Sequence, residues 1–229
     1  MKLVIANKVY SSWSLRPWIL MKMLDMPFVE DLIPLDTPEF RPRVEAYHAG
    51  STVPILVDGG ITVWESLSIM EYLAERFPEK DVWPKDPAAR AFARTMASEM
   101  HAGFRGLRQA CPMNIRQRHP AKVRGEAVAK DVARLTHLWR EALSHVGKPS
   151  AAGPFLFGAF GAVDAMFAPM VTRFVTYSIP VDDVVQAYCN AVLKTQAFRQ
   201  WHQEAMAEAW VVVHDEADEP VLGPFSLPI

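Results

Sequence analysis

The chain changes character at Pro78-Glu79-Lys80-Asp81-Val82-Trp83-Pro84-Lys85-Asp86-Pro87. Three prolines and five charges in ten residues read as a linker. Before it, short apolar runs alternate with helical patterns; after it, only helical periodicity remains. Strands are predicted at 3–6, 28–34, 55–57 and 61–63, and helices at 14–25, 38–48 and 66–77. The order is βαβαββα: a parallel βαβ unit, then a hairpin turned at Asp58-Gly59-Gly60. Beyond the linker, helices are predicted at 88–110, 120–146, 161–177, 182–193 and 196–209, a pattern that packs as an all-α bundle. The fold class is thus α/β plus all-α, divided as 1–78, a linker at 79–87, and 88–229. Trp83 is expected to dock the linker between the domains, and the proline-bearing tail from His214 to form an irregular strap.

Composition excludes several classes. Of 229 residues half are hydrophobic and the formal net charge is -2, which argues against binding nucleic acid by phosphate neutralisation. The densest basic cluster, Arg105, Arg108, Arg116 and Arg118, reads as a solvated face. Cys111 and Cys189 form neither a C-x-x-C pair nor a metal pattern, and the histidines lack metal-ligand companions, so no metal is expected. Two isolated cysteines fit a reducing compartment, and the apolar stretch near Met1 is too short for a signal peptide, so a cytoplasmic location is expected. Residues 154–171 carry one charge, Asp164, but Gly158, Gly161 and Pro169 interrupt them, which fits a buried core helix better than a membrane span.

Chemistry concentrates in Tyr10-Ser11-Ser12-Trp13-Ser14-Leu15-Arg16-Pro17, a turn between the first strand and the first helix. Proline loses no helical hydrogen bond only within the first four helical positions, so Pro17 places the N-cap no earlier than Trp13, with Ser14 the candidate. Ser11 and Ser12 then lie just outside the helix, at its positive end. A hydroxyl there can donate to an anion, and the anion expected is a thiolate.

Three motifs in this order resemble the glutathione transferase family, and the likeness extends over about residues 1–210. Ser11-Ser12-Trp13-Ser14-Leu15-Arg16 resembles the serine motif of zeta and theta transferases, in which a serine donates to the glutathione sulfur. The zeta alignment favours Ser11 as the catalytic residue and the theta alignment Ser12, with Ser14 in the glutathione-binding set. Trp13 stands where the zeta motif has cysteine, which counts against zeta-type isomerase chemistry. Thr52-Val53-Pro54 resembles the family's cis-proline turn, where the Val53 N–H and C=O would pair with the cysteine of glutathione. Glu65-Ser66 resembles the pair that binds the γ-glutamyl group: Ser66 and helix amides for its carboxylate, Glu65 for its ammonium. Gly161-Ala162-Val163-Asp164 resembles the family's capping box with its hydroxyl residue replaced, so Asp164 reads as structural. The resemblance implies a thioredoxin-like N-terminal domain followed by the family's helical domain. It implies glutathione as substrate or coenzyme, an electrophilic small molecule as second substrate, no nucleic-acid or membrane partner, and a homodimer. Wall candidates for the second substrate are Trp13, Met100, Phe104, Arg105, Arg108 and Met113. Arg173 resembles a substrate-binding arginine of zeta isomerases but sits a turn closer to Asp164, so that role is not assigned. Alternatives to thiol transfer are cis–trans isomerisation of a maleyl-type acid, glutathione-dependent disulfide reduction, and a non-catalytic interaction protein.

Overall fold

The central strand shows why the sheet forms where it does. Leu3, Val4 and Ile5 are all fully buried, so β1 (Lys2–Ile5) is covered on both faces. It pairs in parallel with β2 (Val29–Leu32) and antiparallel with β3 (Ile55–Asp58), in the register Leu3–Leu56 and Val4–Ile55. β4 (Ile61–Trp64) returns from β3 through Gly59, whose φ of +59° suits the tight turn, and the sheet order is β2-β1-β3-β4. Leu3, Ile5 and Leu56 face the main core beneath α1 (Ser12–Met23) and α3 (Ser66–Arg76); Val4, Ile33 and Ile55 face Val44 of the short α2 (Phe40–Glu45). The structure, a computed structural model, describes residues 1–145 and 153–228.

The start of α1 differs from the sequence expectation. Its N-cap is Ser11, not Ser14, and Pro17 lies inside the helix. Packing outweighs the proline rule: Leu15, Trp18, Ile19 and Leu20 are fully buried. Each such side chain stabilises by about 1.5–3 kcal/mol, against roughly 3 kcal/mol for an interior proline. Ser14 instead accepts from the Ala6 N–H at 3.0 Å, tying the helix to the end of β1.

The predicted helix 88–110 is two helices, α4 (Pro87–Ala102) and α5 (Arg105–Ala110). A Cβ at Gly103 would lie 2.7 Å from the Glu99 carbonyl oxygen, and Phe104 turns left-handed at φ +57°, so the chain breaks there. Then follow β5 (Gln117–Arg118), α6 (Glu126–His145), α7 (Ala162–Thr176), α8 (Asp183–Lys194), α9 (Gln196–Met206) and β6 (Gly223–Pro224). α6 begins six residues later than its predicted 120–146, and residue 146 lies outside the described residues. The tail is not wholly irregular, because β6 pairs antiparallel with β5.

α7 is buried except at Val175 and forms the axis of the helical domain. Asp164 accepts from the Gly161 N–H and from the Leu156 N–H, each at 3.0 Å. The glycine has a reason: a Cβ on Gly161 would stand 3.0 Å from the Val82 carbonyl oxygen, which takes the Ala162 N–H at 2.9 Å. That contact seats the linker on α7, with Trp83 buried beside it as expected. No helix among the described residues is long and apolar enough to cross a membrane.

Two further fastenings frame the space between the domains. The Lys8 ammonium, buried against the rings of Trp18 and Trp201, meets Glu30 at 2.6 Å and also Glu204 of α9. Glu208 accepts from the Lys8 and Val9 N–H groups at 2.7 and 3.2 Å. On the strap, Glu219 takes Arg124 in a two-pronged pair (2.5 and 2.7 Å) and Lys122 at 3.0 Å. The Arg124 hydrogen bonds, first of all, pull the Glu219 carboxyl down to about 2. A depressed carboxylate contributes stability above its unfolded pKa of about 4.3 that is lost as pH falls toward its folded value. Glu219→Gln should lower stability by about 1–3 kcal/mol at neutral pH. Urea midpoints should show the gap to wild type closing progressively below pH ~4.3.

Candidate active site

A cleft of about 680 Å³ opens between the domains. The residues around the start of α1, Tyr10 to Trp13, form one side, joined by Thr52 and Val53. His101, Arg105, Arg108, Gln109 and Met113 form the facing side, Arg173 comes from α7, and Asp215 from the strap.

The three serines are not equivalent. The Ser11 hydroxyl caps the Ser14 N–H at 3.4 Å and donates to the Ser14 oxygen at 2.7 Å. Ser14 is fully buried, and its oxygen accepts from both Ser11 and Ala6. It therefore braces the turn and does not line the cleft. Ser12, the first helical residue, lines the cleft, and its hydroxyl has no hydrogen-bond partner among the described residues. The neighbouring Trp13 N–H, an orphan donor of the first turn, has none there either.

The Val53–Pro54 peptide is cis, and Pro54 is buried beneath the turn. The Val53 N–H and C=O have no partner among the described residues, while the Thr52 carbonyl pairs with the His48 ring at 3.1 Å. Glu65 caps α3 at φ +68°. The Ser66 hydroxyl departs from expectation: it turns inward, accepting from Arg16 at 3.5 Å and donating to the Met166 sulfur at 3.9 Å. What α3 offers outward is the amides of Ser66, Leu67 and Ser68, unpaired among the described residues. Glu65, Leu67 and Ser68 line a second hollow, and His101 borders both it and the cleft.

Two wall candidates do not hold: Met100 and Phe104 are core residues, fully buried and 6% exposed. Burying their apolar surface outweighs lining a wet cleft. Trp13, Arg105, Arg108 and Met113 do line it. Sequence reasoning missed Tyr10, His101, Gln109 and Asp215, and left Arg173 without a role. Helical spacing could not have joined His101 to Arg105 and Arg108, because the break at Gly103 and Phe104 puts them on separate helices.

Charge is lopsided. Asp215 is the lone acid among the described lining residues, against Arg105, Arg108 and Arg173. Burial pushes the Asp215 carboxyl up, opposed by His214 and Arg173. Burial, then the neighbouring Arg108, pulls Arg173 down to about 10; burial, then Arg105, likewise lowers Arg108. Arg173 is held by the Cys111 and Pro169 carbonyls, both at 2.8 Å. The guanidiniums of Arg16 and Arg108 lie 3.9 and 4.5 Å from the Trp13 ring centre, and the His101 ring meets it edge-on at 5.3 Å. Burial, first, and those two arginines push His101 below its usual value against the pull of Glu65.

A cis-proline sheet domain, a helical partner built on a buried central helix, and a hydroxyl at a helix start facing the cleft between them define a glutathione transferase fold. Residues 10–76 match the family model "Glutathione S-transferase, N-terminal domain", and the chain carries that domain. Among solved structures, a Burkholderia glutathione transferase homolog with bound glutathione superposes with a TM-score of 0.66 at 22% identity, covering 90% of this chain and 98% of the other. A maleyl pyruvate isomerase, a bacterial zeta-class transferase, superposes at 0.65 and 16% identity over 92% and 100% of the two chains. Among curated proteins, the maleylacetoacetate isomerase of Mus musculus is 33% identical over 97 residues, 42% of this chain and 45% of the relative. The dichloromethane dehalogenase of Methylorubrum extorquens is 40% identical over 65 residues, 26% and 22% of the two. A Caenorhabditis elegans relative, 28% identical, is covered over 64% of its length, so the chain spans less than two thirds of each of these curated relatives.

Proposed function

We propose that this chain is a glutathione-dependent enzyme in which Ser12, rather than Ser11, stabilises the thiolate that attacks an electrophilic carbon. The observation that carries the reading is the unengaged Ser12 hydroxyl beside the unpaired Trp13 N–H, at the positive end of α1 and facing the cleft. A free thiol has a pKa of about 8.5, and a positive helix end with a donated hydrogen bond lowers it by a unit or more. The unpaired Val53 N–H and C=O would hold the cysteine of glutathione as a strand holds its neighbour. The α3 amides and Glu65 would hold the γ-glutamyl carboxylate and ammonium.

The arginines favour a second substrate that bears a carboxylate, and this supports a second reading: isomerisation of a maleyl-type acid with glutathione returned. The two readings separate by stoichiometry. Transfer consumes one glutathione per turnover and isomerisation consumes none. Calorimetric titration with glutathione, then turnover of maleylacetoacetate with thiol counting, tests both; no glutathione uptake by the folded protein sinks both. Arg108 is half-committed to structure, with one long 3.5 Å bond to the Gly103 carbonyl, and is free to meet an anion. Arg108→Met should lower kcat/KM for an anionic electrophile by about tenfold or more, the worth of a charged hydrogen bond. For a neutral electrophile of the same size the value should stay within about twofold.

A further inference from the structure

The sequence places Arg118 in a basic cluster that reads as a solvated face, yet the structure half-buries it at the end of β5. Its Nε is shut off from water and meets no acceptor. Its guanidinium makes no hydrogen bond or salt bridge among the described residues. The backbone is what ties Arg118 down: its carbonyl takes the Leu222 N–H of the strap at 2.8 Å. A guanidinium stays protonated at neutral pH, and one drawn out of water without a counter-charge costs stability. The fold therefore carries a cation for which it supplies no partner.

The surroundings of Arg118 say what would compensate it. Its side chain lines a hollow of about 360 Å³ that shares no lining residue with the cleft. That volume lies within the range of about 300–1,000 Å³ usual for small-molecule sites. The walls are mainly apolar: Phe174 and Val175 of α7, Val181, Leu193 of α8, and Leu227 from the end of the strap. Burial pushes the Cys189 thiol up to about 12, so its sulfur adds a neutral, apolar wall. No aspartate or glutamate lines the hollow among the described residues, which leaves Arg118 as its one charge there. The Gln186 side-chain amide donates to Asn190 Oδ1 at 3.0 Å, so Asn190 Nδ2 is left without an acceptor among those residues. We infer that this hollow binds an apolar monocarboxylate, its carboxylate on the Arg118 fork with Asn190 as a second donor and its body against the apolar walls. One cation matches one negative charge, and the planar fork suits a carboxylate. The site is independent of what the cleft binds.

Calorimetric titration of the full chain with octanoate, 1-octanol and acetate tests the site. Wild type should bind octanoate about tenfold or more tighter than octanol, which lacks the charge, and than acetate, which lacks the body. Arg118→Met should weaken octanoate by about tenfold or more and leave octanol within about twofold. Arg118→Lys, which keeps the charge, should restore part of the loss. Val181→Trp, which fills the hollow and keeps Arg118, should weaken octanoate by about tenfold or more. Arg108→Met, which removes a cation of the cleft instead, should leave octanoate affinity within about twofold of wild type. The Arg118 side chain holds no partner, so the ligand-free thermal midpoint of Arg118→Met should equal or exceed that of wild type. No uptake of octanoate by wild type, equal affinity for octanoate and octanol, or undiminished uptake in Arg118→Met would each overturn the site. Uptake lost in Arg108→Met would place the carboxylate in the cleft and overturn it too.

Discussion

Ser12→Ala should lower kcat/KM for glutathione conjugation by about 10²-fold, the scale of losing one donor aimed at a developing or resident negative charge. The cause is a missing O–H at the sulfur, so the thiol pKa of bound glutathione should rise by about one to two units, each unit worth ~1.4 kcal/mol. Ultraviolet thiolate absorbance, followed against pH in the binary complex, reads that value directly. Ser11→Ala should behave differently. Its hydroxyl caps the Ser14 N–H and bonds Ser14, so the loss falls on folding, by about 0.5–2 kcal/mol. The thiol titration should move little. Should Ser11→Ala shift the thiol and Ser12→Ala leave it unmoved, the roles are reversed and the choice between the serines is wrong.

Asp164→Ala should destabilise the protein by about 3–5 kcal/mol, because it strands two buried N–H donors, Leu156 and Gly161, each worth about 1–3 kcal/mol when left unsatisfied. The urea midpoint should fall, and excess glutathione should raise it by no more than it raises that of wild type. Burial raises the Asp164 carboxyl to about 7, only partly offset by those two N–H bonds. The sign follows from linkage. A carboxyl raised above its unfolded value of ~3.9 contributes stability that is complete below ~3.9 and lost as pH rises through about 7. Asp164→Asn keeps an acceptor and cannot ionise, so it should lose less than the alanine variant. Its deficit relative to wild type should narrow between pH ~4 and ~7. A deficit independent of pH over that range would mean that Asp164 stays ionised throughout.

Much of the fold was legible because burial on both faces leaves a plain mark. Leu3-Val4-Ile5 read as a strand, though its central place in the sheet did not, and the run around Asp164 read as a core helix. The cis turn at Pro54 and the capping contact to Gly161 were readable only through the resemblance of their motifs to the family, and the burial of Trp83 through its place between linker prolines. Errors came where long-range packing overrules local chemistry. Pro17 pointed to a later helix start, but Trp18 and its neighbours draw the helix back over Ser12. Met100 looked like a pocket wall because its position, not its direction, was read; one residue on, His101 faces the cleft. Ser66 carried the right motif, yet a buried arginine four residues beyond Ser12 turns its hydroxyl away from solvent. Nothing local marks Asp215 as a cleft residue, because its place depends on a strap that joins the chain's last residues to β5.

The Lys8 fastening has a kinetic corollary. One ammonium, walled in by two indoles and gripped by carboxylates from both domains, welds α9 to the approach of α1. Opening the slot by parting these elements would break that grip, so molecules are expected to thread in and out at its mouth. Turnover of bulky compounds would be throttled by egress, and their rates would slow with solvent viscosity, while small ones pass unhindered.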